Sequence, residues 1–311
     1  MGAMIRRPLA VLAVLALLGA CGSESASGPT TTVDATPTTP CDEPADQMDA
    51  AYVEGGDSLQ ALDLYLPDDA GCGPVPLVVW VHGGGWSIGD KRFSIEDKLA
   101  LWNEAGWAVA SVNYRLTDAD LPEADRVMAP AHNQDVAAAV GWLVDNASDL
   151  GLDPERVALL GHSAGAGIVA ALAADPAYLD AVGLSPTDVD CVAPLDTEAF
   201  SVEAAATTGP QLAAIYEAAF GTDPARWADL SPLTHVGDAP VPDLFLVTRG
   251  TPARRQVVAT FAEAVEAADG DVTIVDLPGF THEDVNKRIG TAADAELTPA
   301  LQTFLTTCLA R

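Results

Sequence analysis

Three short stretches carry residue types suited to nucleophilic chemistry. In Gly161-His162-Ser163-Ala164-Gly165 a serine stands among small residues, after the apolar run 157–160 and at the start of a small-residue segment, 164–174. A tight strand-to-helix turn would lift its hydroxyl into a cleft, with a helix N-terminus behind it that favours developing negative charge. His82-Gly83-Gly84-Gly85-Trp86 follows another apolar run, 77–81. Glycines let backbone N–H groups face a cavity unobstructed, and acyl transfer needs such donors for the oxyanion of its transition state. The N–H groups of Gly84, Gly85 and Ala164 are the expected donors. His282 lies in a late loop, where a general base belongs in the order serine, acid, histidine. The other histidines fit less well: His82 belongs to the glycine stretch, His162 to the serine turn, His132 to a helix start and His235 to an insertion.

The elements that must position these residues alternate. Strands are predicted at 60–66 (half-buried, with Leu62, Leu64 and Leu66 on one face), 77–81, 107–114, 156–160, 190–195, 244–247 and 272–275. The continuous apolar run 77–81 suits a strand covered on both faces. Helices are predicted from Pro130, with Val136, Val140, Leu143 and Val144 as the apolar stripe, and over 164–174, about 256–267 and about 298–309. Such alternation implies an α/β fold: a mainly parallel sheet with helices on both faces and ligands at the carboxyl ends of its strands. Residues 197–240, Ala-rich and punctuated by Pro, interrupt the pattern and predict a small helical cap.

VVWVHGGGW, SVNYRL, GLDPERVALLGHSAGA and GFTHEDVN, within about residues 60–310, resemble the α/β-hydrolase esterases and lipases that bear an HGGG motif. The resemblance is to the acetyl-esterase, feruloyl-esterase and kynurenine-formamidase-like branch. It implies an α/β-hydrolase fold, an oxyanion hole at Gly84 and Gly85, Ser163 as nucleophile and His282 as base. The family usually places its acid after the strand assigned here to 244–247, but this loop reads Thr248-Arg249-Gly250-Thr251-Pro252-Ala253-Arg254, with two basic residues and no carboxylate. Asp196, at the end of the preceding strand, is the leading alternative and keeps the chain order. It would serve equally as the N-cap of a helix over 197–206. Asp243 and Glu283 are the other substitutes. Glu283 adjoins the histidine, a poor position from which to reach the ring's far nitrogen. An absent acid would leave a weak or inactive enzyme, since spoiling that residue can cost about 10⁴ in rate. An Arg115–Asp135 ion pair is expected to brace the glycine loop, and Trp86 either to wall the pocket or to pack beneath the cap.

The first 21 residues read as an export signal: Arg6 and Arg7, a short apolar run 8–18, then Leu18-Gly19-Ala20-Cys21, which resembles the lipobox of bacterial lipoproteins. Lipidation at Cys21 is expected, followed by a Ser/Thr/Pro-rich tether over 22–41 and a hydrolase domain over 42–311. The four remaining cysteines, Cys41, Cys72, Cys191 and Cys308, suggest two disulfides; of three possible pairings, Cys41–Cys72 with Cys191–Cys308 is favoured. None has metal-site spacing, so neither a metal nor an organic cofactor is expected.

With 45 acidic against 15 basic residues and a net charge of −30, the surface would repel nucleic-acid phosphates and anionic membranes. Membrane contact is expected only through the lipid anchor of an exported chain. The sum of these readings is a serine hydrolase of small or carrier-linked esters with short acyl groups, acetyl or feruloyl among them. The alternatives are an arylformamidase-type amidase and a catalytically inactive, surface-anchored binding protein.

Overall fold

The computed structural model describes residues 45–68 and 73–310. The signal segment, the tether, Cys21, Cys41 and Cys72 lie outside the described residues. Eight strands form one sheet: β1 (Gln47–Ala51), β2 (Ala61–Tyr65), β3 (Val75–Val81), β4 (Ala108–Val112), β5 (Leu152–His162), β6 (Cys191–Leu195), β7 (Asp243–Thr248) and β8 (Val272–Asp276). Their order is β1-β2-β4-β3-β5-β6-β7-β8. The pairs β1·β2 and β2·β4 are antiparallel and every later pair is parallel. This is the α/β-hydrolase fold the motifs predicted.

The pleat of β3 explains why its apolar run is unbroken. Leu77, Val79 and Val81 join one buried cluster, while Val78 and Trp80 join the cluster on the opposite face. Helices Ala131–Asp145, Ala164–Ala174 and Pro252–Ala267 cover the first face through Val136, Val140, Leu143, Ile168, Phe261 and Val265. Helices Glu96–Glu104 and Leu297–Leu309 cover the second through Trp102, Leu301 and Leu305. Both faces are dry, so alternation gives way to continuous hydrophobicity in the central strands.

Two expectations need correction. The 60–66 segment, predicted to be half-buried, is buried on both sides: Asp63 is as inaccessible as Leu62 and Leu64. Its carboxylate is held by Arg92 at 2.6 Å and Lys91 at 3.2 Å, which is what allows a charge there. The segment 197–206 is not one helix. Its helical part is Val202–Ala206, capped by Ser201, so the N-cap reading of Asp196 fails. The rest of the insertion is three short helices, Pro210–Phe220, Pro224–Asp229 and Pro232–His235, each with a proline in its first turn.

Cys191 on β6 and Cys308 on the C-terminal helix are disulfide-bonded, with Cα atoms 6.2 Å apart, tying the last helix to the middle of the sheet.

Candidate active site

Parallel strands deliver their loops to one edge of the sheet, and each piece of the site arrives on such a loop. Ser163 follows β5 directly and precedes the helix Ala164–Ala174. Its φ of 57° is a conformation non-glycine residues avoid, held because its N–H donates to the Leu195 carbonyl (3.1 Å) and its own carbonyl accepts from Gly167. The glycines around it are forced by close approach. A Cβ on Gly161 would sit 2.4 Å from the Gly165 backbone, and one on Gly165 would sit 2.2 Å from the Val81 carbonyl oxygen.

The glycine stretch after β3 meets this turn. A Cβ on Gly83 would come within 3.0 Å of the Ser163 Cβ, and Gly83, Gly84, Gly85, Ser163 and Ala164 line one cavity of about 680 Å³. Gly84 and Gly85 have φ of 116° and 58°, and Ile88 N–H donates back to the Gly84 carbonyl. Beneath the loop, His82 stacks on Tyr114, whose hydroxyl donates to the His82 carbonyl at 3.2 Å. Thr117 N–H donates to the Trp86 carbonyl. Arg115 forms a fork on Asp135, its Nη2 at 2.7 Å, so the expected ion pair exists. It braces the segment 114–117 after β4, which in turn holds the glycine loop. Trp86 fills both expected roles: it lines the cavity and packs edge-on against Tyr216 and Phe220 of the insertion.

His282 opens the helix His282–Lys287, capped by Thr281 in reciprocal bonding with Asp284. Its Nε2 lies 2.8 Å from Ser163 Oγ and its Nδ1 lies 2.6 Å from Asp196 Oδ2. The carboxylate that meets the histidine ring is Asp196, at the carboxyl end of β6, itself at φ 62°. Asp243 sits at the far end of β7 and lines a different cavity, and Glu283 pairs with Lys287 at 3.0 Å. Neither contacts the histidine ring.

Reading the sequence missed three participants. Arg249 Nε donates to Asp196 Oδ2, and Arg254 donates to Oδ1 at 2.7 Å; these are the two basic residues of the loop after β7, where the resemblance implies a carboxylate. Their replacement of that carboxylate was the available signal. The third is His162, whose Nε2 donates to the His282 carbonyl at 2.9 Å, anchoring the backbone at the start of the helix His282–Lys287. Burial and the neighbouring His282 push the His162 imidazole down to about 3, so it stays neutral in that role. Burial alone would raise the Asp196 carboxyl, but the hydrogen bond from His282 and the charges of Arg254 and Arg249 outweigh it and hold it at about 2.

His162, Asp196 and His282 also form the one group of potential metal-ligating side chains among the described residues. Their atoms are already engaged with one another and with Ser163, an arrangement suited to proton transfer from a hydroxyl.

The sequence model of the BD-FAE family matches residues 62–253, more than half of the chain. The chain belongs to the BD-FAE family. Relatives include esterase LipQ of Mycobacterium tuberculosis, 34% identical over 48% of this chain and 35% of that protein. Carboxylesterase NlhH of the same organism is 42% identical over 32% of this chain and 29% of that protein. The matches thus span about a third of these curated relatives. Among solved structures, esterase B of Lactobacillus rhamnosis is similar in fold, with a TM-score of 0.69, 22% identity and 85% coverage of each chain. A bacterial heroin esterase has a TM-score of 0.63 at 25% identity, covering 80% of this chain and 78% of its own.

Proposed function

We propose that this BD-FAE member is a carboxylesterase-type serine hydrolase working through an acyl-enzyme. The observation that carries the reading is the unbroken relay Ser163 Oγ, His282 Nε2, His282 Nδ1, Asp196 Oδ2, with links of 2.8 and 2.6 Å. His282 Nδ1–H donates to Asp196, which leaves Nε2 free to accept the serine proton as Oγ attacks the ester carbonyl. The carbonyl oxygen becomes an oxyanion, stabilised by N–H groups of Gly84, Gly85 and Ala164. His282 then returns the proton to the departing alcohol, and a water activated by the same nitrogen releases the acid.

The proposal extends to small acyl groups. Trp86, Tyr216, Leu212 and Ile215 crowd the cavity, and a Cβ at Gly85 would already lie 3.2 Å from Ile215. Acetyl or feruloyl esters on a larger carrier are the substrates in view. The same relay would serve an arylformamidase. Inactivity, the third reading, loses its main support, because the carboxylate missing after β7 is supplied after β6.

A fluorophosphonate probe with the wild type and Ser163→Ala tests the reading: covalent label only on the wild type is expected, and an unlabelled wild type would remove it. Rates on p-nitrophenyl acetate, longer acyl esters and N-formylkynurenine then separate esterase from formamidase. Export and lipidation at Cys21 complete the proposal. The Cys191–Cys308 disulfide supports it, being the chemistry of an oxidising compartment. Metabolic labelling with an alkynyl fatty acid should mark the wild type and spare Cys21→Ala.

A further inference from the structure

We propose that Arg249 and Arg254 are positioning residues that keep the buried Asp196 ionised and aimed at His282, and whose charges balance the carboxylates beside that ring. The inference rests on the triad reading above. Asp196 is 1% exposed, and a carboxylate so buried with a neutral imidazole as its one partner would take up a proton rather than remain charged. A protonated acid could not stabilise the imidazolium formed during attack.

The two arginines meet this need from both sides. Arg254 takes Oδ1 through Nη2 at 2.7 Å and Nε at 3.1 Å, and also reaches the Asp196 carbonyl at 3.3 Å. Arg249 Nε shares Oδ2 with His282. With both oxygens held, the carboxylate cannot turn away from the ring. The remaining arm of Arg254 pairs with Glu198, so two guanidiniums offset two carboxylates.

Arg254 occupies the first turn of the helix Pro252–Ala267, where the helix dipole disfavours a cation. Its local placement is unfavourable, and its tertiary contacts explain it. The loop is shaped for the purpose: Gly250, at φ 74°, turns the chain, and Thr251 caps the helix through the Arg254 N–H.

Other charged or titratable groups near His282 are His162 at the end of β5, His82 in the glycine stretch, Lys98, bonded to the Asn286 carbonyl of the same helix, and Glu283, Asp284, Lys287 and Arg288. None of these is bonded to the Asp196 carboxylate. When one arginine is removed, the other still holds Asp196 ionised, while a positive charge is lost from beside the ring, so His282 becomes easier to protonate.

The test is the pH dependence of kcat/KM on p-nitrophenyl acetate for wild type, Arg249→Met, Arg254→Met and Arg249→Lys, beside NMR titration of the low-field His282 Nδ1–H resonance. In the Met variants the acidic limb and the resonance should move up by about one pH unit. Their kcat should fall about tenfold or more with KM within about twofold, as for an effect confined to the transition state. Arg249→Lys, which keeps the charge, should return the limb to near its wild-type position. Should Arg254→Met fail to fold, Arg249→Gln, which leaves Arg254 in place, carries the test. The resonance titrates whether or not an ester is turned over, so an inactive wild type would sink the hydrolase reading and not this one. Folded Met or Gln variants whose limb and resonance stay in place, or a Lys variant shifted as far as Met, would overturn the proposal.

Discussion

Asp196 is the residue whose chemistry depends most on its surroundings. It combines a left-handed backbone, near-complete burial and three partners, and it couples through His282 to a second strained residue, Ser163. Strain at two facing strand ends is a cost that the rest of the fold sustains. Asp196→Asn keeps the shape, removes the charge and disturbs the tautomer of His282. It should lower kcat by about 10⁴ with KM little changed, read in steady-state kinetics. An effect within a few-fold would show that the histidine draws its orientation from elsewhere, His162 being the nearest ring at 4.5 Å.

The elements succeed because they pass close to one another where side chains are missing. Helix Ala164–Ala174 crosses the end of β3 at Gly165, over the Val81 carbonyl. Gly165→Ala should push the helix off the sheet, lowering stability by about 1–3 kcal/mol in urea titration and carrying Ser163 away from the glycine loop. A stable variant of normal turnover would mean the backbone yields at Gly165 at little cost. The Arg115–Asp135 pair acts at a distance from the chemistry. Asp135 is almost wholly buried and also accepts from Gln60 at 2.7 Å, while Arg115 is partly exposed. Asp135→Ala, which leaves those donors unpaired, should cost about 2–3 kcal/mol in thermal or chemical unfolding, with acyl-chain preference unchanged.

The assembled domain is held by a sheet with an apolar cluster on each face and by the bond between Cys191 and Cys308, which closes a loop containing β6, β7 and β8. Replacing both cysteines by alanine should lower stability by about 2–4 kcal/mol in denaturant titration while leaving turnover at room temperature. Acid should weaken the fold through Asp196 in a defined window. Its folded carboxyl, near 2, lies below the unfolded value, so its contribution is complete above about pH 5 and vanishes as pH falls through about 2. The stability advantage of wild type over Asp196→Asn should therefore shrink across that range in unfolding curves at successive pH values, and a constant advantage would refute the assignment.

Most of the site was legible in the chain because its signals are local. The turn at Ser163 needs small neighbours within a few residues, the glycine stretch needs no side chains at all, and a central strand covered on both faces must be apolar throughout. Position after a strand then pointed to His282 and, as one choice among several, to Asp196. What stayed hidden depends on residues far apart in the chain. The pairing of Asp196 with Arg249 and Arg254, the anchoring of the His282 backbone by His162, and the burial of Asp63 all join groups from different elements. No periodicity records such meetings. A buried charge is tolerated when its partner arrives from elsewhere in the fold, and only the packed sheet brings those partners within hydrogen-bonding distance.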